Sequence, residues 1–348
     1  IDENDEWWGL GFTEWTNVTK AKPLYPGHDQ PQLPGELGFY DLRLPEVRQA
    51  QADLAQEHGI SGFCYYHYWF NGKLLLERPI VDVLNSGKPD FPFCLTWANE
   101  NWTRAWDGGS KQILMEQNYG DADDEAHFRW LLPFFADPRY IRVDGRPFFA
   151  IYRARRLPDT RRTLDRWREL AHKAGLPGLY LCRFDSFPDE RIPLPGTGFD
   201  AAVEFQPDWP YLGRVFPSWL PFWNMRRFRV LPPPLRHHTF YRYKTIVERM
   251  KRRPPVEYKR FPCVMPGWDN TARRGESGGA VVMHGNTPEL FGGWLEHTLR
   301  NFKPYSATEN LVFINAWNEW AEGNKLEPDR KWGRGFLEAT RAAIDAAG

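Results

Sequence analysis

Two glutamates three residues apart, Glu319 and Glu322, stand among tryptophans and asparagines in the stretch Asn315-Ala316-Trp317-Asn318-Glu319-Trp320-Ala321-Glu322-Gly323. Cleavage of a glycosidic bond needs a pair of this kind: one carboxyl kept protonated to donate to the leaving oxygen, the other charged. Trp317 and Trp320 offer sugar rings an apolar face, and Asn315 and Asn318 can bind hydroxyls. The competing reading pairs both glutamates with arginines and places the tryptophans in a core. For one glutamate that reading is the commoner outcome; the density of the cluster favours function.

The run before the cluster, Leu311-Val312-Phe313-Ile314, is apolar and partly β-branched, as in a strand buried on both faces. In a parallel barrel the strand bodies pack the interior and their C-terminal ends line the active-site mouth. The same strand-then-helix pattern recurs along the chain. Strands are expected at 60–70, 92–99, 147–152, 179–184, 201–205, 262–265 and 311–316. Helices are expected at 45–58, 77–84, 123–135, 160–174, 287–299 and 335–347. Repeated β-then-α units predict an α/β protein, a (β/α)8 TIM barrel formed as a single domain over 1–348. The barrel is one strand short, and that strand lies either unrecognised within residues 1–44 or upstream of Ile1. An insertion at about 206–260, helical over 239–250, is expected on the catalytic face as a lid or cleft wall.

Every strand end in this reading carries polar or aromatic chemistry. The substrate-binding candidates are His67 and Tyr68; Trp97, Asn99, Glu100 and Trp102; Tyr152; Glu204 and Gln206; Trp268 and Asp269; and Asn315, Trp317 and Asn318. Each has a plainer alternative. His67 fits a hydrogen-bonded core histidine, Glu100 an ion pair with Arg104, and Glu204 an inward, paired carboxylate. Standard metal-ligand spacings are missing from the sequence, as are phosphate-loop and dinucleotide glycine motifs, so no metal and no cofactor is expected.

Lysine plus arginine and aspartate plus glutamate number 45 each, which argues against a nucleic-acid partner. Aromatic residues make up 16% of the chain, many beside polar residues, which suits an oligo- or polysaccharide substrate. Cys64, Cys94, Cys182 and Cys263 lie in apolar runs and read as buried free thiols of a reducing, cytoplasmic compartment. No membrane span or signal peptide is read. The chain opens at Ile1 without methionine and reads as part of a longer, multidomain protein.

The segments NDEWWGLGFTEWTNV, KPLYPGH, LGFYDLR, GFCYYHYWFNGK, FPFCLTWANENWTR, VEFQPDW and INAWNEWAEG resemble the WbsX-type proteins of bacterial surface-polysaccharide gene clusters, often labelled glycosyltransferases. Those proteins are related to glycoside hydrolase family 99, the retaining endo-α-mannosidases, whose E-W-x-E arrangement matches Glu319-Trp320-Ala321-Glu322. The resemblance implies that Glu322 is the general acid/base and that Glu319 deprotonates the sugar 2-hydroxyl, which attacks the anomeric carbon to give an anhydro-sugar. It implies a metal-independent retaining hydrolase or transglycosylase acting on α-linked, mannoside-like sugars of a surface polysaccharide. One alternative is a glycosyltransferase of O-antigen or capsule biosynthesis, with Arg104, Arg183, Arg273 and Arg274 as diphosphate ligands. Another is a carbohydrate-binding barrel without catalysis. A further variant pairs Glu100 with Glu319, as in conventional retaining enzymes.

Overall fold

A computed structural model describes residues 2–104, 109–212, 238–275 and 279–348. Its frame is a set of parallel strands in chain order: β1 (Phe63–Phe70), β2 (Phe93–Trp97), β3 (Arg146–Ile151), β4 (Tyr180–Asp185), β5 (Ala201–Glu204), β6 (Arg260–Phe261 and Cys263–Val264, interrupted at Pro262) and β7 (Phe313–Ile314). Each is hydrogen-bonded to the next. Short antiparallel strands, Lys73–Leu75 on β1 and Arg142–Val143 on β3, make the sheet mixed. Among the described residues no ladder joins β1 to β7. Even so, Phe63 of β1 packs edge-on at 5.0 Å against Trp317, three residues beyond β7, so the two ends of the parallel set come within contact there.

The helices are α1 (Asp2–Trp8), α2 (Glu14–Lys20), α3 (Pro45–Glu57), α4 (Arg78–Ser86), α5 (Asp121–Ala136), α6 (Thr160–Lys173), α7 (Tyr243–Lys251), α8 (Thr271–Arg274), α9 (Pro288–Asn301) and α10 (Gly335–Ala347). Local chemistry sets their ends. Pro45 opens α3 and Gly59, in the left-handed region at φ 80°, follows it. Asp159 caps α6 by accepting from the Arg162 amide at 3.0 Å. The buried face of α6 is Thr163, Leu164, Trp167 and Ala171, the spacing of one helical side.

β2, β4 and β5 are buried at every position, as expected of strands covered on both faces. The alternation within β1 divides the chemistry. Tyr65, His67 and Trp69 face the helical layer, where His67 meets His127 of α5 and the Trp69 indole donates to Asp123 at 2.8 Å. Cys64, Tyr66 and Tyr68 face the enclosed side, where Cys64 meets Thr96 and Tyr66 meets Tyr152.

Two expectations need revision. Residues 239–250 do not form one helix: Thr239–Arg242 is a strand paired with Val281–His284, and α7 follows it. Residues 1–44, one of the two places where the missing strand was expected, contain α1 and α2, and among their described residues no strand, only an isolated bridge from Pro34 to Asp329. The central part of the expected insertion, 213–237, lies outside the described residues. All four cysteines are free thiols. No described helix is long and apolar enough to cross a membrane.

Candidate active site

Beyond β7 the chain makes a short antiparallel turn, Asn318–Glu319 against Asn324–Lys325, closed by a 3-10 turn over Trp320–Glu322. Gly323 permits this closure, with φ 57° and so little room that an added Cβ would lie 3.0 Å from the Asp269 side chain and 3.1 Å from its amide. The Asp269 amide donates to the Glu322 carbonyl at 2.6 Å, tying the turn to the segment after β6.

That segment leads into α8, whose Arg273 spans both carboxyls. Its Nη1 donates to Glu322 Oε1 at 2.6 Å and its Nη2 to Glu319 Oε2 at 3.2 Å. The side chains of Glu322, Arg273 and Glu319 keep 15%, 25% and 29% exposure, so the group is enclosed yet reachable. Burial drives the Glu322 carboxyl up to about 7; Arg273 and Arg274 oppose this rise and Glu319 adds to it. Burial works against the charge of Arg273, but the carboxyls of Glu322, Glu319 and Glu14 hold it above its ordinary value.

Glu14, at the start of α2, is a third carboxyl here. Its Oε1 accepts the Ala321 amide at 2.8 Å. Burial and then the charge of Glu319 push it up to about 8. Helix α2 is seated by Val18 and Trp15 against Ala272, Trp320 and Ala321. Across from the carboxyls stands Tyr68, whose hydroxyl is pushed well up by burial and by Glu319 and so remains a donor. Trp102 meets the Tyr68 ring at 5.4 Å and Trp7 at 5.8 Å, extending an aromatic wall outward. Tyr152 is half-buried near Glu100 and Glu322, and desolvation first, then both carboxyls, push its hydroxyl up.

The structure thus gathers Tyr68, Trp102, Tyr152, Asn318, Glu319 and Glu322 around one mouth. Asn318 donates to the Tyr40 hydroxyl at 3.1 Å. Glu100 pairs with Arg153 at 2.6 Å rather than with Arg104. The remaining candidates are engaged elsewhere. His67 is 2% exposed, stacked on Trp130 at 4.4 Å and kept neutral by burial, which lowers it to about 3. Trp97 is buried in the helical layer against His127 and Trp167. Asn99 braces two strand ends, donating to the Arg153 carbonyl and accepting its amide. Glu204 pairs with Arg253 at 2.5 Å, and Gln206 accepts the Asp208 amide. Trp268 packs edge-on to Trp209. Asp269 meets His28 at 2.7 Å and accepts the Thr271 hydroxyl. Asn315 donates to the Gln206 carbonyl. Among the described residues, no group of three His, Cys, Asp or Glu side chains is arranged to hold a metal ion.

The sequence left Glu14 and the role of Arg273 unread. The signal for Glu14 was the cap at Thr13, whose amide donates to the Thr16 hydroxyl, so that the helix begins at the glutamate. Arg273 was visible as a cation five residues past Trp268, at a strand end.

The sequence profile of the family described as Glycosyltransferase WbsX matches residues 1–340. The chain belongs to the WbsX family. It is 41% identical over 350 aligned positions to WxcX, an uncharacterized protein of Xanthomonas campestris pv. campestris in strains B100 and ATCC 33913, covering all of this chain and 48% of that protein. This WbsX-family chain therefore spans about half the length of the curated relatives it matches. Among solved structures, a glycoside hydrolase-like protein is similar with a TM-score of 0.58 at 13% identity, over 90% of this chain and 89% of that one. The GH99 endo-α-mannosidase of Bacteroides thetaiotaomicron is similar with a TM-score of 0.53 at 14% identity, over 93% of this chain and 90% of that one. At such identities the likeness concerns the fold, and a WbsX chain shares it with these proteins nearly end to end.

Proposed function

We propose that the chain is a retaining glycoside hydrolase or transglycosylase, built as a (β/α)8-type barrel, that acts on α-linked, mannoside-like units of a bacterial surface polysaccharide. The observation that carries this reading is the Arg273 bridge between two unlike carboxyls. Glu322 holds a proton to near neutrality, while Glu319 takes the longer contact with the same guanidinium.

The arrangement supports the following chemistry. Glu322 gives its proton to the leaving glycosidic oxygen as that bond breaks, and Glu319 takes the proton of the sugar 2-hydroxyl. The freed oxygen attacks the anomeric carbon and forms the anhydro-sugar. The Glu322 carboxylate next takes a proton from water, or from an acceptor sugar hydroxyl. The resulting oxygen attacks the anomeric carbon and opens the ring as Glu319 returns its proton to the 2-oxygen. Both glutamates end as they began. Tyr68, Tyr152, Trp102 and Asn318 are the substrate contacts in this reading, and the other strand-end residues brace the frame.

The family description favours a second reading, a glycosyltransferase that uses an activated sugar. Three of the four arginines it draws on have other engagements. Arg183 is 1% exposed and paired with Asp185, Arg104 donates to the Trp7 carbonyl, and Arg273 holds the two glutamates. The discriminating experiment is turnover of a panel of α-linked oligosaccharides from bacterial surface glycans by wild type and Glu322→Gln. Hydrolysis or glycosyl transfer by wild type that is lost in the variant supports the leading reading. Product formed only after nucleotide sugars are added moves the chain to the transferases.

A further inference from the structure

Helix α2 is only two turns long, yet its first residue inserts a carboxylate behind the turn that carries Glu319 and Glu322. Ala321, whose amide Glu14 accepts, lies between the two glutamates, so this one bond fixes the backbone from which both project. On every side Glu14 faces groups of the same site. Glu319 and Glu322 come from the turn, Arg273 from α8, Tyr68 from β1 and Tyr40 from the loop after α2; Arg274 on α8 acts on Glu322. Glu14 therefore shares Arg273 with the pair.

We propose that Glu14 is a third carboxyl of this site, a positioning residue that holds the Glu319–Glu322 turn through the Ala321 amide and competes with both glutamates for Arg273. This rests on the catalytic reading of that pair. The mechanism itself gives Glu14 no proton to transfer. Its influence runs through the turn and the shared guanidinium. While it is protonated, the amide bond remains and Arg273 stays with Glu319 and Glu322. Once it ionises, a third negative charge draws on the same cation, and the hold on the pair weakens. Burial already raises Glu14 to about 8, so this ionisation falls at the alkaline edge of the working range.

Two variants separate the roles. In Glu14→Gln the side-chain oxygen still accepts the Ala321 amide but carries no ionisable proton; in Glu14→Ala both properties are lost. The first readout is substrate-free, the titration of side-chain carboxyl 13C resonances in glutamate-labelled protein. Wild type should show steps at about 7 and about 8, and Glu14→Gln should lose the upper one. The second readout is turnover of α-linked surface-glycan oligosaccharides. Glu14→Ala should lose tenfold or more in kcat with KM little changed, on the order of one displaced contact in a preorganised site. Glu14→Gln should recover most of that loss and decline less steeply than wild type above about pH 8. An upper step that persists in Glu14→Gln overturns the proposal, as does wild-type turnover by Glu14→Ala. Where Glu14→Ala does not fold, the Glu14→Gln titration decides. A wild type without any turnover whose upper step disappears in Glu14→Gln, with the step at about 7 displaced as well, overturns the glycosidase reading and leaves Glu14 coupled to the pair.

Discussion

Arg273 and Glu322 meet at 2.6 Å, closer than the 3.2 Å between the same guanidinium and Glu319. One planar cation thus fixes two carboxyls at once, a geometry that an ammonium cannot reproduce. Replacement by methionine removes the cation that opposes the rise of Glu322, so its proton should be held to still higher pH, by about one unit or more. Arg273→Met should lower kcat by about two orders of magnitude, because the carboxyls lose both charge balance and orientation. Arg273→Lys should restore the charge but little of the rate. Equal activity of the lysine variant and wild type would show that the bidentate span is irrelevant.

The elevation of Glu322 to about 7 carries a direction for catalysis. A general acid must be protonated, so kcat/KM should fall as pH rises through about 7. Glu322→Gln has no such proton and should lack this limb, with a rate lower by about two to four orders of magnitude. The check is a pH–rate profile of both proteins on the same α-linked oligosaccharide. An alkaline limb that persists unchanged in Glu322→Gln would assign the acid elsewhere.

The parallel strands and most helices were legible because their patterns are local: apolar runs, Pro45 at a helix start, Gly59 at its end. The pair Glu319 and Glu322 was legible because both glutamates lie on one strand end. Side-chain direction was not. His67 and Tyr68 are neighbours in sequence with equal claims on the mouth, and alternation in β1 turns His67 to the helices and Tyr68 to the carboxyls. Trp97 was lost to the mouth in the same way. Glu14 and Arg273 come from 305 and 46 residues before Glu319, and no periodicity links such distant groups.

Glu204 marks the difference between a polar strand end and a binding residue. Arg253, 13% exposed, meets Glu204 at 2.5 Å and Asp208 at 2.5 Å, and these carboxylates are 8% and 0% exposed. Loss of the shared cation leaves Glu204 only a 4.0 Å ion pair with Arg260 and Asp208 only its ion pair with Arg191 at 2.7 Å, so two buried charges lose much of their compensation. Arg253→Met should destabilise the fold by about 3–5 kcal/mol, seen in denaturant unfolding. At temperatures where the variant remains folded, KM for oligosaccharide should be unchanged. A raised KM with unaltered stability would return Glu204 to the substrate contacts.

Glu327 gives the fold its own pH dependence. Its carboxyl accepts from Tyr40 at 2.7 Å, from the Trp320 indole at 2.7 Å and from Gln51 at 2.6 Å. Those bonds favour the charged form, but burial outweighs them and raises the group from 4.5 to about 7. A raised carboxyl binds its proton more tightly in the folded chain than in the unfolded one. Its contribution is therefore fully present below 4.5 and is lost as pH rises to about 7. The gap corresponds to about 3 kcal/mol at most. Glu327→Gln keeps the volume but replaces a protonated oxygen that can still accept with an amide nitrogen that cannot, so it should be less stable than wild type at pH 4.5. Across the same interval wild type loses the Glu327 contribution and the glutamine variant does not, so the difference between them should shrink as pH approaches about 7. Urea unfolding of both proteins at the two ends of this window measures that change, and a constant difference would mean that Glu327 is charged in the folded chain throughout.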